Sequence, residues 1–410
     1  MQIEAILVAI DVGTSKVVAL VGEVGRDGVV NVIGKGIVPA SGMKKGVVIN
    51  IEQTVGSIKA AVEGAERLSG MRLEAAFVGV GGSHVESQNS RGAVAVSGPH
   101  REVSREDVER ATEVARAVTI PSNREVLHVL PRGFVVDGQE GVKDPLGMSA
   151  VRLEVETHIV HGSATALQNL TKCVRQAGVR VDELVVESLA SGEAVLSETE
   201  RELGVAVADI GAGTTDLALY LEGSPFHTSV LPVGGINVTA DVAIGLKTNL
   251  IAAEQLKIQH GTANPSSVDP DEEVTVEEIG GESRMALRME MAEIIEARMR
   301  ELFEKIGEEL VRGGHIGRLP AGLILTGGAA LLPGSAELGR EVLQMPVRVA
   351  SPTGVGGLTD GLLAPAYSTS IGLLQWAARV VTTAEPQRYE SAPAAGAAGR
   401  MRDWVRGLFP

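Results

Sequence analysis

Two short segments combine an aspartate, glycines and hydroxyl residues at equivalent spacing. One reads Asp-Val-Gly-Thr-Ser-Lys from Asp11, and the other reads Asp-Ile-Gly-Ala-Gly-Thr-Thr-Asp from Asp209. Because glycine has no side chain, such turns let backbone N–H groups approach a phosphate closely. Lys16 would meet the same phosphate as a point charge. The segments therefore predict a pair of phosphate-binding turns, although either one alone is also typical of an ordinary hairpin with a polar loop.

The two aspartates would face the charge of the phosphate chain. Carboxylates are tolerated there only when a divalent cation lies between them, and Mg²⁺ retains most of its water ligands in proteins. We therefore expect Asp11 and Asp209 to hold Mg²⁺ through water.

Two further elements pair glycines at the end of an apolar run. In AGLILTGGAALLPG, Gly327 and Gly328 would let an adenine ring lie against the backbone, although such a loop is also typical of a simple strand-to-helix turn. A second pair, Gly234–Gly235, precedes a helical segment in which Glu254 and Lys257 could reach ribose hydroxyls. The alternative for that Glu and Lys is a solvated helix face.

Apolar runs on both sides of each acidic turn predict a strand–turn–strand unit. AILVAIDVGTSKVVALVGEV is echoed by GVAVADIGAGTTDLALYLEG, and the two aspartates are 209 − 11 = 198 residues apart. That separation is too long for a solenoid repeat and fits two related α/β domains. Two such turns could close on a phosphate chain from opposite sides, which predicts a nucleotide cleft between the domains.

The remaining patterns predict insertions in both domains. Ser104 and Asp107 form a capping-box pattern before a helix near 105–118, and a long helix is expected over 285–311 with four methionines at Met285, Met289, Met291 and Met299. Between Thr262 and Glu282 the sequence is acidic and predicts an exposed loop or hairpin. The expected boundaries are 1–83 and 163–203 for the first domain, 84–162 for its β-rich insertion, 204–224 and 314–381 for the second domain, 225–313 for its insertion, 382–399 for a flexible linker, and 400–410 for a helix.

Composition excludes several classes of protein. The 410 residues carry a formal net charge of −15, which argues against a nucleic acid as the main partner. Cys173 is the single cysteine, so no intrachain disulfide is possible. The first apolar run contains Glu4 and ends at an aspartate, unlike a signal peptide, and no run reaches the roughly 18 apolar residues of a spanning helix. These features predict a soluble body in the cytoplasm.

The segment GRMRDWVRGLFP differs from this acidic body. Its apolar residues recur at helical spacing, and its three arginines and one aspartate give a local charge of +2. This pattern predicts an interfacial membrane helix, with docking on the protein body or on a partner as the alternative. The apolar face comprises Met401, Trp404, Val405, Leu408 and Phe409, and the basic residues are Arg400, Arg402 and Arg406.

The motifs, taken in order, resemble the ATPase fold of actin, Hsp70 and sugar kinases. Within that fold, residues 5–380 resemble the FtsA family of bacterial actin-like division proteins, and the β-rich insertion resembles the subdomain distinctive of that family. The resemblance implies roles for Glu254 and Lys257 at the nucleoside, and a role for Glu187 in orienting the attacking water of a weak ATPase. It places phosphate and adenosine contacts at Gly13, Thr14, Ser15, Lys16, Gly211, Ala212, Gly213, Thr214, Thr215, Gly327, Gly328 and Ala329.

The resemblance also implies a protein partner, the acidic and apolar carboxyl-terminal tail of FtsZ. That tail would dock on the second insertion, where the basic positions are Arg284, Arg288, Arg298 and Arg300. Arginine can hold a carboxylate through two hydrogen bonds. The alternative is that these arginines pair with acidic residues of their own helix or of the acidic loop before it.

The sequence as a whole predicts an ATP-binding, actin-like division protein at the cytoplasmic face of the membrane. It would be a peripheral protein that self-associates into filaments, since a heterologous interface that does not close generates a filament. The alternatives are a phosphotransferase of the same fold, a chaperone-like ATPase, and an FtsA-like pilus assembly module. The sequence shows no substrate element for the first and no peptide-binding domain for the second.

Overall fold

The computed structural model describes residues 3–25, 28–97, 100–312 and 316–383. The strands are β1 (Ile3–Val12), β2 (Lys16–Gly25), β3 (Val30–Pro39), β4 (Met43–Lys44), β5 (Val47–Val48), β6 (Ala75–Val80), β7 (Glu86–Ala95), β8 (Arg124–Val136), β9 (Gln139–Val142), β10 (Arg152–Ser163), β11 (Arg180–Val186), β12 (Val205–Ile210), β13 (Thr215–Leu221), β14 (Ser224–Leu231), β15 (Glu273–Glu277), β16 (Ser283–Leu287), β17 (Leu323–Thr326), β18 (Val347–Val349) and β19 (Val355–Gly357). The α-helices are α1 (Ile51–Ser69), α2 (Arg105–Arg116), α3 (Ala164–Gln176), α4 (Glu187–Val195), α5 (Glu198–Leu203), α6 (Gly235–Gly245), α7 (Leu250–His260), α8 (Arg288–Arg312), α9 (Ser335–Leu343) and α10 (Ser368–Thr383).

Two sheets with the same strand order form the framework. The first runs β11-β6-β1-β2-β3 with β19 added at its edge, and the second runs β18-β17-β12-β13-β14. In each sheet the hairpin is antiparallel, and the strand on its other side is parallel to the first strand of the hairpin. The structure therefore confirms the predicted duplication of an α/β unit.

The two hairpins also share their register. Asp11 lies opposite Val18 across β1 and β2, and Asp209 lies opposite Asp216 across β12 and β13. Every residue of β12 and β13 is buried, because this sheet is covered on both faces. Each acidic turn thus emerges at the end of a rigid, buried strand.

Helices α4 and α10 pack against each other between the sheets. A Cβ atom placed on Gly372 of α10 would lie 1.8 Å from the carbonyl oxygen of Ala190, so glycine is required for this close crossing. Helix α4 contacts the second sheet at Gly192, which lies against the Tyr220 ring, and α10 packs along the first sheet. The amino-terminal ends of both helices point to the region between the hairpin turns.

The first insertion is a four-stranded sheet, β7-β10-β8-β9, covered by α2. The predicted capping box is confirmed: Asp107 N–H donates to Ser104 Oγ, and Ser104 N–H donates to an Asp107 carboxylate oxygen. Hydrogen bonds from Ser104, Arg110 and Ser97 offset burial and hold the pKa of Asp107 at about 2. Helix α2 approaches β7 closely at Gly92, where a Cβ atom would collide with the α2 backbone.

The predicted second insertion, 225–313, contains α6, α7, the β15–β16 hairpin and α8, whereas β14 at its start pairs with β13 and belongs to the second sheet. The predicted helix over 285–311 is wrong at its start, since Met285 and Leu287 belong to β16 and α8 begins at Arg288. Residues of β16 pair with β15 in antiparallel register, and Ala286 points into the core between the exposed Met285 and Leu287. Cross-strand pairing therefore replaces the first helical turn. The hairpin alternative predicted for the acidic segment is confirmed.

Candidate functional site

The two acidic turns have the same backbone geometry. Gly13 N–H donates to the carbonyl oxygen of Lys16 at 3.0 Å, and Gly211 N–H donates to that of Thr214 at 2.9 Å. Each turn is thereby closed by its own backbone, leaving residues Thr14–Ser15 and Ala212–Gly213 at the two tips. These are the positions that the sequence predicted to face a phosphate chain.

The tips lie against each other across the cleft. A Cβ atom placed on Gly213 would lie 2.7 Å from Thr14 Oγ1 and 3.2 Å from the backbone of Lys45. Both approaches are closer than ordinary van der Waals contact, so the second turn fits against the first because residue 213 has no side chain. Lys16 lies nearby, with its Nζ 4.9 Å from the centre of the Tyr367 ring.

The first residues of α10 hold both predicted aspartates. Ser370 Oγ donates to Asp11 Oδ2 at 2.7 Å, and Thr369 Oγ1 donates to Asp209 Oδ2 at 2.7 Å. Ser191 of α4 donates a further hydrogen bond to Asp209. Burial raises the pKa of both aspartates, and these hydrogen bonds and the charge of Lys16 partly oppose that rise.

Two more carboxylates complete the cluster. Asp216 accepts a hydrogen bond from Thr214 Oγ1 at 2.9 Å, and burial together with the charge of Asp209 raises its pKa to about 7. Its other oxygen, Oδ1, is buried without a hydrogen-bond partner. Glu187, the first residue of α4, has a pKa raised well above its usual range by burial, then by Asp216, Asp11 and Asp209.

Gly81 fixes the approach of these two carboxylates. A Cβ atom placed on Gly81 would lie 2.4 Å from Glu187 Oε2 and 3.1 Å from Asp216 Oδ1. Glycine therefore makes room for Glu187 and Asp216 at the end of β6. Four acidic side chains with raised pKa values share this small volume, and nearby positive charge would stabilise their ionised forms.

The acidic side chains near Asp11 and Asp209 can be compared with the ligands that the expected Mg²⁺ ion requires. Within the described ranges, no cluster of three or more His, Cys, Asp or Glu side chains is arranged to hold a metal ion directly. A cluster of buried carboxylates, in which Asp216 Oδ1 has no hydrogen-bond partner, still fits a hydrated divalent cation, whose waters would donate hydrogen bonds to it. The residues present therefore fit Mg²⁺ held through water.

The predicted nucleoside residues converge beside the second turn. Gly235 N–H donates to the carbonyl oxygen of Gly211 at 2.9 Å, and Gly234 packs on the backbone of Ala212. Lys257 Nζ donates to Glu254 Oε2 at 2.7 Å and to the Gly235 carbonyl oxygen at 3.3 Å. Lys257 and Glu254 thus form a polar pair beside the start of α6, in which the lysine side chain is 12% exposed and the glutamate side chain 44% exposed.

The third glycine element also lies beside the second turn. Gly327 has a φ of 87°, and a Cβ atom on it would lie 2.3 Å from Asp209 Oδ1, so the position requires glycine. A Cβ atom placed on Gly235 would lie 3.2 Å from Cβ of Ala329, just beyond Gly328. Phosphate-side and nucleoside-side candidates therefore lie next to one another beside the second turn.

The four arginines predicted to bind the partner are all engaged in ion pairs. Arg288 donates to both carboxylate oxygens of Glu272 at 3.0 and 2.8 Å, and Arg284 Nε lies 3.1 Å from Glu278 Oε1. Pairs of this kind were the alternative drawn from the sequence. The other contacts are Arg298 with Asp241 and Glu301, and Arg300 with Glu296 and Glu341.

The predicted membrane residues of the segment 400–410 lie outside the described residues, as does the predicted linker from 384 onward. Among the residues described, no helix combines the length and the apolar character that a membrane span requires.

Sequence reasoning missed Asp216, Ser191, Thr369 and Ser370. Asp216 is the last residue of the motif that begins at Asp209, but the motif that begins at Asp11 has no acidic residue at the matching position. The run Ser368-Thr369-Ser370 was a visible signal, because hydroxyl residues at the start of a helix are placed to bond groups near its amino-terminal end.

The duplicated sheets around a cleft, with two helices between them, define an actin-like ATPase fold. Solved structures with this fold include the PilM–PilN type IV pilus biogenesis complex, with TM-score 0.64 and 19% identity over 92% of this chain and 99% of that one. MreB5 of Spiroplasma citri bound to ADP gives TM-score 0.55 and 13% identity over 92% and 99%. At such identities these likenesses show the fold alone.

Sequence relatives are far closer. The cell division protein FtsA of Pseudomonas aeruginosa is 44% identical over 98% of both chains, and that of Escherichia coli is 38% identical over 98% of both. Models of the cell division protein FtsA and of the SHS2 domain inserted in FtsA match residues 206–372 and 82–161. The chain belongs to the FtsA family of cell division proteins, which confirms the resemblance in its motifs and does not favour the phosphotransferase alternative.

Proposed function

We propose that this chain is an ATP-binding division protein that assembles at the cytoplasmic face of the membrane and anchors FtsZ filaments there. The observation that carries the nucleotide part is the opposition of two equivalent turns, with Gly213 packed against Thr14. MreB5 of Spiroplasma citri, which has a similar fold, was solved with ADP and with AMPPNP, and this supports a nucleotide between the equivalent turns.

Different residues of the proposed cleft would bind the phosphate chain, the nucleoside and Mg²⁺. Backbone groups of Gly13–Lys16 and Gly211–Thr215 would hold the phosphate chain, with Lys16 as a positive charge. Gly234, Gly235, Glu254, Lys257 and the Gly327–Ala329 loop would hold the nucleoside. A bound Mg²⁺ would supply the positive charge that the acidic cluster around Asp11 and Asp209 requires.

Glu187 is the candidate for the proton transfer of hydrolysis. A carboxyl with a raised pKa carries its proton at higher pH and is then unable to accept another. Its basicity therefore depends on nearby positive charge that favours the ionised form. This supports at most a weak ATPase, in which nucleotide acts mainly as a switch between states of the cleft.

The segment 400–410 would bind the anionic membrane surface as an amphipathic helix. A short helix with a few apolar residues and three arginines binds lipid weakly when single, because ordering it costs conformational entropy. Many tails tethered together bind firmly, so head-to-tail self-association into actin-like filaments would provide the avidity. Arg284, Arg288, Arg298 and Arg300 would form the docking surface for the acidic FtsZ tail.

Binding of a fluorescent ATP analogue with Mg²⁺ tests the nucleotide proposal. Asp209→Asn should weaken binding at least roughly tenfold, since it removes a charge that faces the hydrated cation. Glu63→Gln changes an exposed acid of α1 outside the cleft and should leave binding unchanged. Equal affinities for the wild type and Asp209→Asn would show that the nucleotide does not bind in the cleft beside Asp209.

A further inference from the structure

The arginines of the expected docking surface are occupied by carboxylates of the same chain. Arg288 Nη1 donates to both carboxylate oxygens of Glu272, and its Nε donates to the carbonyl oxygen of His260 at 2.8 Å. Arg284 pairs with Glu278, and its Nη2 donates to the carbonyl oxygen of Leu246 at 2.9 Å. The backbone contacts fix both guanidinium groups, so a new carboxylate must replace the one already present.

Both of these carboxylates come from one stretch of chain, residues 269–282, which we call the acidic hairpin segment. It contains seven acidic residues and no lysine or arginine. At its tip, Ile279 is 78% exposed. Acidic side chains next to an exposed apolar residue are the chemistry expected of the docking peptide itself.

The acids within this segment fall into two groups. Glu272 and Glu278 are half-buried and turn toward the arginines, whereas Glu273 and Glu277 are exposed on the outer face of β15. Arg298 differs, because its partners Asp241 and Glu301 are held on the helices α6 and α8. The acidic hairpin segment is therefore the part of the site whose carboxylates can be exchanged without moving a helix.

We propose that the acidic hairpin segment is an intramolecular competitor, with Glu272 and Glu278 occupying the arginines that an acidic, apolar peptide must take. This inference rests on the proposed docking function. Affinity for the peptide is then set by an exchange of carboxylates, not by the filling of a vacant basic surface. Removing the internal acids should strengthen binding, which is the opposite of what a structural role for their ion pairs predicts.

The test uses the full chain and a fluorescent synthetic peptide with the sequence of an FtsZ carboxyl-terminal tail, followed by anisotropy. The double variant Glu272→Gln/Glu278→Gln should bind about three- to tenfold more tightly than the wild type, as expected when two half-exposed ion pairs are lost. Glu273→Gln/Glu277→Gln removes the same charge from the same hairpin and controls for long-range repulsion of the acidic peptide. Its affinity should remain within about twofold of the wild type.

Each outcome has a defined meaning. If both double variants gain equally, the effect is long-range charge and the competitor is overturned, while docking stands. If Glu272→Gln/Glu278→Gln binds more weakly than the wild type, with unchanged circular dichroism, the hairpin is a structural support and the inference is wrong. If neither the wild type nor either variant binds, both the docking proposal and the competitor fail. If only Glu272→Gln/Glu278→Gln binds the peptide, both the docking proposal and the intramolecular competitor are supported.

Discussion

Thr369 and Ser370, neighbours at the start of α10, donate hydrogen bonds to aspartates of two different sheets. Thr369 Oγ1 reaches Asp209 of the second sheet, and Ser370 Oγ reaches Asp11 of the first, each at 2.7 Å. One helical turn thus ties together the ends of both hairpins. A change in the separation of the hairpins must alter at least one of these bonds, so we expect α10 to respond to such a change.

Ser370→Ala should weaken Mg·ATP binding. Asp11 would lose a hydrogen bond that lowers its pKa, and a bond to a charged group contributes about 1.5–3 kcal/mol. We expect roughly a tenfold loss of affinity, measured by titration calorimetry. Thr382→Val is the matched control, because its hydroxyl bonds to the Ala378 carbonyl oxygen at the far end of the same helix. An equal effect of both substitutions would point to helix stability instead.

Gly213→Ala should hold the two turns apart. The added Cβ would lie 3.2 Å from the Lys45 backbone as well as 2.7 Å from Thr14 Oγ1, so rotation of Thr14 alone does not relieve the crowding. We expect at least about a tenfold loss in Mg·ATP affinity with little change in thermal unfolding of the ligand-free protein. The control is Gly56→Ala in α1, where the added methyl meets no atom within 4 Å. Unchanged affinity in Gly213→Ala would show that the turns do not close on the ligand.

Asp216→Asn should flatten the pH dependence of stability in the ligand-free protein. The pKa of Asp216 is about 7 in the folded state against 3.8 ordinarily, so the folded chain retains a proton that the unfolded chain releases. Stability therefore falls as pH rises from about 4 to about 7. Replacing Asp216 by asparagine should raise the free energy of unfolding by roughly 1–3 kcal/mol at pH 8.

Denaturant unfolding at pH 5 and pH 8 measures this difference. Glu273→Gln, at an exposed position on β15, serves as the control. Its free energy of unfolding should change between the two pH values by as much as that of the wild type. If Asp216→Asn also retains the wild-type slope, then Asp216 is ionised at neutral pH and its burial carries little cost.

The hairpins and their duplication could be predicted from the sequence because their signals are local. Apolar runs on both sides of a Gly-containing turn define a hairpin without information from distant residues. Ser370 and Thr369 were missed because their partners lie 359 and 160 residues away along the chain. Asp216 was missed because the equivalent position of the first repeat is Val18, so comparison of the repeats gave no acid there.

The start of α8 was predicted wrongly for a different reason. Met285 and Leu287 fit the helical periodicity of the residues that follow, and helix propensity favours them. They form β16 because β15 lies alongside and accepts their backbone pairing, which is a tertiary effect. The hairpin brings Glu272 and Glu278 to Arg288 and Arg284, which is the pairing with the acidic loop that the sequence offered as an alternative.

Co-sedimentation with anionic vesicles tests the central claim most directly. The full chain and a chain ending at Gly399 would be compared with Mg·ATP, and Gly213→Ala would be added to disable the cleft. We predict that the full chain pellets with vesicles, that the shortened chain stays in solution, and that Gly213→Ala pellets less. If the shortened chain pellets as well as the full chain, the segment 400–410 is not the membrane anchor and the account of this protein as a membrane tether is wrong.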